Sequence, residues 1–387
     1  MTSTKVAFVT PGSFPVPSGR SSSVERVVEK FVPLLPPVAE PRIYGRSALG
    51  LARRSLVDGV ICERFKAVNK TKYLTSCAGA IRRFNPRVIQ VENRPHFVLK
   101  LKRRFPGKKV WLNLHSTSFI GSGHISSRKL RQSFRAADRI VVNSEFLLHT
   151  VAAKAPELKH KMRVVYPGVE TDRFPSRFSD EGQSLRSQLR ERNGLSGKKV
   201  VLFIGRLIPL KGVHHLLQAV PGLVRQDPDL LVVVVGSPYY GSHRQTAYSR
   251  KLHRLGRQFP AHVRFVPYVP YSEVPGWFLS ADIAVVPSGQ REAFGLVNVE
   301  AMACGCPVVA TNAGGMKEII VDGQTGYLIT PANIARELPE KLLTLLQNGE
   351  LRTMMGEESR KRVEEMFTWR HTADRWLSLL SESEEGV

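Results

Sequence analysis

The stretch KVVLFIG, residues 199–205, is a short apolar run, rich in β-branched side chains, that ends at a glycine. Such a run is typical of a β-strand that is buried on both faces. Similar runs bounded by glycine or proline follow it: LLVVVVG (230–236), VRFV (263–266), IAVVP (283–287) and PVVAT (307–311). Helical stretches lie between these runs, and the alternation indicates a parallel sheet covered by helices.

The first half of the chain shows the same pattern. Its strand-like runs are KVAFVT (5–10), RVIQV (87–91), VWLNL (110–114), RIVVNS (139–144) and RVVYPG (163–168). The polar residues 170–198, interpreted as a linker and a helix, separate the two series. A chain of 387 residues is also long enough for two domains. We therefore predict an α/β fold with two doubly wound, Rossmann-like domains that face each other across a central cleft.

The predicted domains comprise residues 1–175 and 176–366. The segment FTWRHTADRWLSLL (367–380) has a helical pattern, with Trp369 and Trp376 seven residues apart on one face. We expect this last helix, residues 367–382, to pack back on the first domain rather than to take part in chemistry.

The net charge of +24 is concentrated in the first half of the chain. Residues 1–175 contain 32 basic and 11 acidic residues, a net charge of +21, whereas residues 176–387 contain 25 and 22, a net charge of +3. A positive field of this kind attracts phosphates, anionic lipids or anionic polymers. The alternative is a basic surface that is simply solvated.

The cysteines and the N-terminus indicate a cytoplasmic protein. Cys62, Cys77, Cys304 and Cys306 have no disulfide-framework spacing, and no nearby Cys or His completes a metal site with the last two. We interpret them as packing thiols in a reducing compartment. No apolar run approaches the roughly 20 residues that cross a bilayer, and the first residues lack a secretory pattern.

Two cations follow the strand 199–205. In GRLIPLKG, Gly205 allows a close backbone approach, and Arg206 and Lys211 project positive charge over the strand ends. A diphosphate suits such a pair of cations. The alternative is a solvated Arg and Lys at the start of a helix.

A second set of candidate residues lies in REAFGLVNVEAMACG, residues 291–305. A helix is predicted from about Gly295, and the free amides of its first turn form an anion site. Glu300, further along this helix, is suited to both hydroxyls of a ribose, and Glu292 lies closer to a sugar beyond the phosphates. The alternative is a capping and an exposed helical glutamate. The residues of the predicted first turn are Phe294, Gly295, Leu296 and Val297.

These motifs together resemble the C-terminal domain of the family 4 glycosyltransferases, which have the GT-B fold. The resemblance is carried by Glu292 and Glu300 with GRLIPLKG, ADIAVVPS (281–288), EAMACGCPVVATNAGGMKEII (300–320) and DGQTGYL (322–328). In the first half, YPGVETDRF (166–174) and LNLHSTS (112–118) are similar to the family, and the latter places His115 just after a strand. FPVPSGRSSSVERV (14–27) and VIQVENRPHFVLKLKRRFP (88–106) resemble its spore coat protein SA branch.

The resemblance implies retaining, hexosyltransferase-type transfer (EC 2.4) from a nucleoside-diphosphate sugar, with a UDP-sugar favoured and neither metal nor cofactor required. Arg206 and Lys211 would neutralise the departing diphosphate, and Glu300 would bind ribose. Glu292, with the turn 294–297, would bind sugar and phosphates. His115 would contact the donor sugar from the opposite domain.

The first loop departs from the family. The family often has paired glycines there, whereas Gly19 is followed by Arg20 and serines. Gly19 is expected to contact the donor, and Arg20 to supply a further cation. Glu92, Asn93 and Arg94 either line the acceptor side or cap the helix that follows them.

The favoured function is thus sugar transfer to a cell-envelope or spore-surface glycan, lipid or protein. The basic half would face an anionic glycan or lipid-linked acceptor, with peripheral contact to the inner membrane face or a place in the spore coat. The basic residues that suggest this are KLKRRFPGKK (100–109), Arg128, Lys129, Arg131 and Arg135.

The alternative function is a non-catalytic spore coat or envelope interaction protein that keeps the GT-B fold. A nucleic-acid partner is not expected, since no recognition motif accompanies the charge. A dehydrogenase is disfavoured because the first loop lacks G-x-G-x-x-G.

Overall fold

The computed structural model describes residues 3–19, 23–239 and 244–385. The chain divides into two compact units, one formed by Met1–Gly168 with Trp369–Val387 and the other by Val169–Thr368. Within the described ranges, none of the helices combines the length and the apolar character that crossing a membrane requires.

Each unit contains one sheet. The strands of the first unit are β1 (Thr4–Val9), β2 (Ala39–Arg46), β3 (Arg54–Val57), β4 (Val60–Phe65), β5 (Val88–Glu92), β6 (Lys109–Leu114), β7 (Arg139–Val142) and β8 (Met162–Val164). Those of the second unit are β9 (Lys199–Ile204), β10 (Leu230–Val235), β11 (Val263–Val266), β12 (Ile283–Val286), β13 (Val308–Thr311) and β14 (Gly326–Ile329).

Helices connect the strands. They are α1 (Ser23–Phe31), α2 (Lys70–Phe84), α3 (Pro95–Arg104), α4 (Ser127–Ala136), α5 (Glu145–Ala152), α6 (Asp180–Arg192), α7 (Val213–Gln226), α8 (Ala247–Gly256), α9 (Val274–Ser280), α10 (Leu296–Ala303), α11 (Met316–Ile319), α12 (Ile334–Gln347), α13 (Gly349–Met366) and α14 (Trp369–Glu385).

In the first unit the described strands follow the order β3-β4-β2-β1-β5-β6-β7-β8. Neighbouring strands are parallel except for β3 and β4, which form an antiparallel hairpin. Asp58 and Gly59 join these two strands with φ values of 43° and 87°, as a two-residue hairpin turn of this kind requires. The apolar runs that predict β1, β5, β6, β7 and β8 therefore account for only part of this sheet.

Helix α14, the last helix of the chain, belongs to the first unit. Trp376 is 1% exposed and packs against Phe8, Phe31 and Trp111 at ring-centroid distances of 5.3, 6.3 and 5.4 Å. The side chain fills the space between the sheet and α1, so α14 is part of the core of this unit.

In the second unit the described strands are all parallel and follow the order β11-β10-β9-β12-β13-β14. The chain order reverses between β9 and β12, since β10 and β11 lie on one side of β9 and β12 to β14 on the other. In sheets of this kind, ligands bind beyond the carboxyl ends of the strands at the reversal point. The loops after β9 and β12 are therefore the place to look for a site.

Candidate functional site

The loops that follow β9 and β12 contact each other in the second unit. The Gly289 amide donates a hydrogen bond to the Leu210 carbonyl at 2.8 Å. Gly212 has a φ of 68°, and a Cβ at this position would lie 1.9 Å from the Pro287 carbonyl oxygen. Only a glycine therefore allows the two loops to approach so closely.

An ion pair joins the two loops. Lys211 Nζ lies 2.5 Å from Glu292 Oε2, and the two side chains are only 20% and 18% exposed. Burial opposes the ionisation of Glu292, but the charge and hydrogen bond of Lys211 and the charge of Arg206 outweigh it and hold the pKa of this carboxyl below its usual value. The structure thus brings Arg206, Lys211 and Glu292 together at the end of β9, where Gly205 begins the loop.

Helix α10 begins beside this ion pair. Gly295, with a φ of 92°, is its N-cap, and the amides of Leu296 and Val297 are in its first turn, where they have no acceptor within the helix. Phe294 precedes the helix and is 2% exposed, so it belongs to the core rather than to the predicted first turn. Glu300 is 7% exposed and follows Leu296 by four residues on the same helical face.

A polar atom near the start of α10 lacks a partner. In the part of the chain that the structure describes, Asn298 Oδ1 is buried without a hydrogen bond. Buried polar atoms are rarely left unpaired unless a ligand or water completes them. The position of this oxygen on α10 fits a site that binds a polar ligand.

The backbone of Glu292 is fixed separately from its side chain. Its carbonyl oxygen accepts a hydrogen bond from the Gly315 amide at 3.0 Å. Gly314 has a φ of 59°, and a Cβ there would lie 1.9 Å from this same oxygen. The turn after β13 therefore holds the Glu292 loop in place.

Lys211 lies just before helix α7 rather than inside it. A single 3₁₀ turn, Pro209–Lys211, contains it, and α7 begins only at Val213 with Gly212 as its N-cap. The left-handed conformation of Gly212 separates the turn from the helix, so Lys211 projects from a rigid corner.

In the first unit, His115 follows β6 and is held by three neighbouring strand ends. Its Nε2 lies 2.7 Å from Glu92 Oε2, and the Glu92 side chain is fully buried at the end of β5. The backbone amide of His115 donates to Asn93 Oδ1 at 3.2 Å. Its carbonyl accepts from Asn143 Nδ2, after β7, also at 3.2 Å.

The sequence reasoning about Glu92, Asn93 and Arg94 missed these contacts. Asn93 has a φ of 53°, and its side chain binds the His115 amide. Arg94 is the N-cap of α3 but makes no side-chain cap hydrogen bond. It is 7% exposed and packs against the ring of Phe119. Its guanidinium carbon lies 3.7 Å from the ring centroid. The signal for Glu92 was in the sequence, since Gln90 and Glu92 alternate on one face of an apolar strand.

The remaining predicted contacts lie in the first loop. Gly19 is exposed, and an added Cβ would meet nothing within 4 Å. Arg20 lies outside the described residues. The Ser18 amide, which precedes Gly19, donates to Glu29 Oε2 at 2.8 Å, so α1 anchors this end of the loop.

The cysteines are buried free thiols, as the packing interpretation predicts. Burial raises the pKa of the Cys306 thiol above its usual value, although Arg177 and Arg186 oppose this.

Part of the predicted basic surface is internally paired. Lys102 binds Asp138 at 2.7 Å, and Arg135 lies 3.3 Å from Glu157. Arg135 nevertheless remains 64% exposed. The other exposed cations of α3 and α4 include Arg103, Arg104, Arg128, Lys129 and Arg131.

Comparison with known proteins agrees with this architecture. The family model described as "Glycosyl transferases group 1" matches residues 186–362, and the model described as "Glycosyltransferase Family 4" matches residues 6–173. Spore coat protein SA of Bacillus subtilis (strain 168) is 32% identical over 375 residues, which cover 97% of this chain and 98% of that protein. The putative glycosyltransferase YtcC of the same strain is 29% identical and covers 96% and 90%.

Solved structures share the fold. HepE of Anabaena, crystallised with UDP-glucose, superposes with a TM-score of 0.77 at 20% identity, covering 98% of this chain and 99% of that one. Both halves of the chain thus match glycosyltransferase family models, and nearly the whole chain matches one relative. The chain belongs to the family 4 glycosyltransferases, which have the GT-B fold.

Proposed function

We propose that this protein is a retaining hexosyltransferase that uses a nucleoside-diphosphate sugar, with a UDP-sugar as the favoured donor and no metal. The observation that carries the proposal is the Lys211–Glu292 ion pair, 2.5 Å long, at the strand-order reversal of the second unit. Arg206 and the first amides of α10 accompany it. The UDP-glucose complex of HepE supports this choice of donor class.

The main chemical task is to stabilise the charge that develops on the leaving diphosphate. Arg206 and Lys211 carry the positive charge, and the amides of Leu296 and Val297 are oriented hydrogen-bond donors. Lys211 and these amides are held in place, so they can stabilise the developing charge with little reorganisation. Because Lys211 is already held by Glu292, an arriving phosphate can share the ammonium group. The Glu292 carboxylate can then accept hydrogen bonds from sugar hydroxyls.

The other proposed contacts follow from the family resemblance. Glu300 accepts hydrogen bonds from the ribose hydroxyls. Gly205 lets the phosphates approach the backbone, and Gly295, the N-cap of α10, lets them approach the first turn of that helix. In the first unit, Gly19 and His115 contribute to donor binding, and His115 contacts the sugar.

The acceptor is proposed to be an anionic glycan or lipid-linked molecule of the cell envelope or spore surface. The exposed cations of α3 and α4 support this, since they would attract an anionic acceptor or an anionic leaflet. A place in the cytoplasm, with peripheral contact to the inner membrane face or in the spore coat, is consistent with this chemistry.

A second candidate function is a non-catalytic spore coat component that keeps the fold. The similarity to Spore coat protein SA over nearly the whole chain favours it. An unneeded catalytic site would not require Lys211 and Glu292 to be held in contact, so sugar transfer remains the better proposal. Release or transfer of a radiolabelled sugar from its nucleotide distinguishes the two functions.

Thermal stabilisation by a panel of nucleotide sugars tests the donor site. A ligand at 100 times its Kd stabilises the folded state by about 2.7 kcal/mol, and we expect a UDP-sugar to raise the melting temperature by about 5 °C or more. Lys211→Ala should remove most of this rise because the phosphates lose their buried cation. The matched control is Lys251→Ala on the exposed face of α8, which should respond like the wild type. An undiminished response in Lys211→Ala would show that the phosphate site is wrongly assigned.

A further inference from the structure

A chain of hydrogen bonds leads from the C-terminal helix to His115 within the first unit. Trp376 Nε1 donates to Gln90 Oε1 at 2.7 Å. Gln90 Nε2 donates to Glu92 Oε1 at 2.6 Å. Glu92 Oε2 lies 2.7 Å from His115 Nε2. Gln90, Glu92 and Trp376 are each at most 1% exposed, so water does not compete for these bonds.

The direction of this chain is fixed at the Trp376 end. An indole nitrogen can only donate, so Gln90 must present its oxygen to Trp376 and its NH₂ group to Glu92. Glu92 Oε1 must therefore accept, and an ionised Glu92 accepts with Oε2 as well. His115 Nε2 then carries the hydrogen in that bond, and Nδ1 is the ring nitrogen that remains available to a ligand.

We propose that Glu92 is a positioning residue, oriented by Trp376 through Gln90, that fixes a proton on Nε2 of His115 and presents Nδ1 to the sugar donor. The role towards the sugar rests on the proposed function, whereas the hydrogen-bond chain does not. In the neutral ring, Nδ1 accepts a hydrogen bond from a sugar hydroxyl. The fixed backbone of His115, bound by Asn93 and Asn143, gives this nitrogen a single orientation.

The tautomer of His115 tests the chain without any substrate. In the full-length protein labelled with ¹⁵N-histidine, the neutral ring of His115 should give the Nε2–H pattern, with the signal assigned by its loss in His115→Ala. In Glu92→Gln, Gln90 still donates to the oxygen at position 92, so the new NH₂ group faces Nε2. That nitrogen must then accept, and the proton should move to Nδ1.

Activity provides the second readout. We expect Glu92→Gln to lower kcat with a nucleotide sugar by about 10- to 100-fold, by analogy with the loss of the hydrogen-bond partner of a metal-binding histidine. Trp376→Phe keeps an aromatic ring in the core but removes the donor to Gln90. Because the Glu92 carboxylate can still only accept, the Nε2–H pattern should persist, and the loss of kcat should be smaller. Glu63→Gln is the matched control and should change neither readout. The Glu63 carboxylate, on β4, lies 3.4 Å from Arg42 on β2.

The outcomes separate the two proposals. An unchanged Nε2–H pattern in Glu92→Gln overturns the inference, whatever the activity. A tautomer change without loss of kcat overturns the positioning role. If the tautomer changes as expected but the wild type neither transfers nor hydrolyses any nucleotide sugar, the hydrogen-bond chain stands and the proposed function fails. Should Glu92→Gln not fold, Glu92→Asp provides the comparison: its shorter carboxylate no longer reaches Nε2, so the tautomers should be mixed, and an unchanged Nε2–H pattern would overturn the inference.

Discussion

At the scale of single residues, the candidate site residues of this protein are held by a partner side chain. Lys211 contacts Glu292 in the second unit, and His115 contacts Glu92 in the first. A charged side chain that is largely removed from water is costly unless a partner offsets the loss of hydration. Each pair therefore keeps a reactive group in one place before any ligand arrives.

The sequence predicted the members of the proposed donor site better than their contacts. The motifs identified Arg206, Lys211 and Glu292, and the structure brings them together. The direct bond between Lys211 and Glu292 was not predictable, because it depends on how two loops 81 residues apart meet. Glu92 was placed at the acceptor side or at a helix cap, whereas the structure has it bind His115.

Gly314→Ala tests whether the turn after β13 holds Glu292. Left-handed backbone costs a non-glycine residue about 1–2 kcal/mol, and here the Cβ would also lie 1.9 Å from the Glu292 carbonyl oxygen. We expect a loss of more than about 2 kcal/mol in urea unfolding and a weaker thermal response to the donor. Gly323→Ala, with a φ of 76° and nothing within 4 Å of the Cβ, is the matched control. It should lose about 1–2 kcal/mol and keep its donor response. Equal losses in both variants would contradict the proposed clash.

Among the elements, α6 is joined to the sheet of the second unit by charge rather than by an apolar face. Arg186 and Arg190 reach Asp282, which precedes β12, at 2.6 and 3.2 Å. The amide of Val200 in β9 donates to the same carboxylate at 2.7 Å. Burial opposes the ionisation of Asp282, but Arg186, the Val200 amide and the remaining arginines outweigh it and hold its pKa below the usual value.

Asp282→Asn should make the second unit less stable in a pH-dependent way. Removing one partner of a buried ion pair costs about 3–5 kcal/mol, and we expect about 3 kcal/mol in urea unfolding at pH 7. Because the folded-state pKa is depressed, the stabilisation is complete above the unfolded value of about 3.9 and is lost as the pH falls through the folded value. The difference from the wild type should therefore shrink below about pH 4.

Asp229→Asn is the control for this measurement. Asp229 is 65% exposed and lies 3.8 Å from Lys198, so its loss should cost less than about 1 kcal/mol. A difference for Asp282→Asn that persists unchanged at low pH would exclude the ionised carboxylate as its cause.

The elements of the sheets were predictable where the strands are buried on both faces. The runs that predict β9 to β13 agree with the structure to within a residue or two at most ends. Strand β2 was missed because Pro41 and Gly45 interrupt its pattern. The hairpin of β3 and β4 was missed although Asp58-Gly59 is a recognised turn signal. Strand β14, which is as long as β11 to β13, was missed because its sequence GYLI lacks a run of β-branched side chains.

At the scale of the whole molecule, charge is divided unequally. Residues 1–175 have a net charge of +21, whereas residues 176–387 have only +3. The prediction of a basic surface holds for the exposed cations of α3 and α4, but Lys102 and Arg135 are paired to carboxylates. Such pairing follows from the packing of helices, which composition does not reveal.

Binding to lipid vesicles tests the proposed membrane contact. We expect the protein to sediment with anionic vesicles at low salt, to dissociate at high salt because the charges are screened, and to ignore neutral vesicles. Each exposed cation contributes about 1 kcal/mol near such a surface. Replacing both Arg103 and Arg104 by serine should therefore weaken binding about thirtyfold.

The same charge change on α8 is the control for that experiment. Replacing Lys251 and Arg254 by serine in the second unit should leave vesicle binding unchanged. An equal loss in the two double variants would mean that net charge, rather than the surface of α3 and α4, drives binding. Equal binding of the wild type to neutral and anionic vesicles would contradict the electrostatic contact itself.

The position of α14 also has a consequence for synthesis. Trp376 completes the space between Phe8, Phe31 and Trp111, yet the ribosome makes it only after all of the second unit has been translated. The nascent first unit therefore keeps an open apolar gap for as long as the second unit is being synthesised.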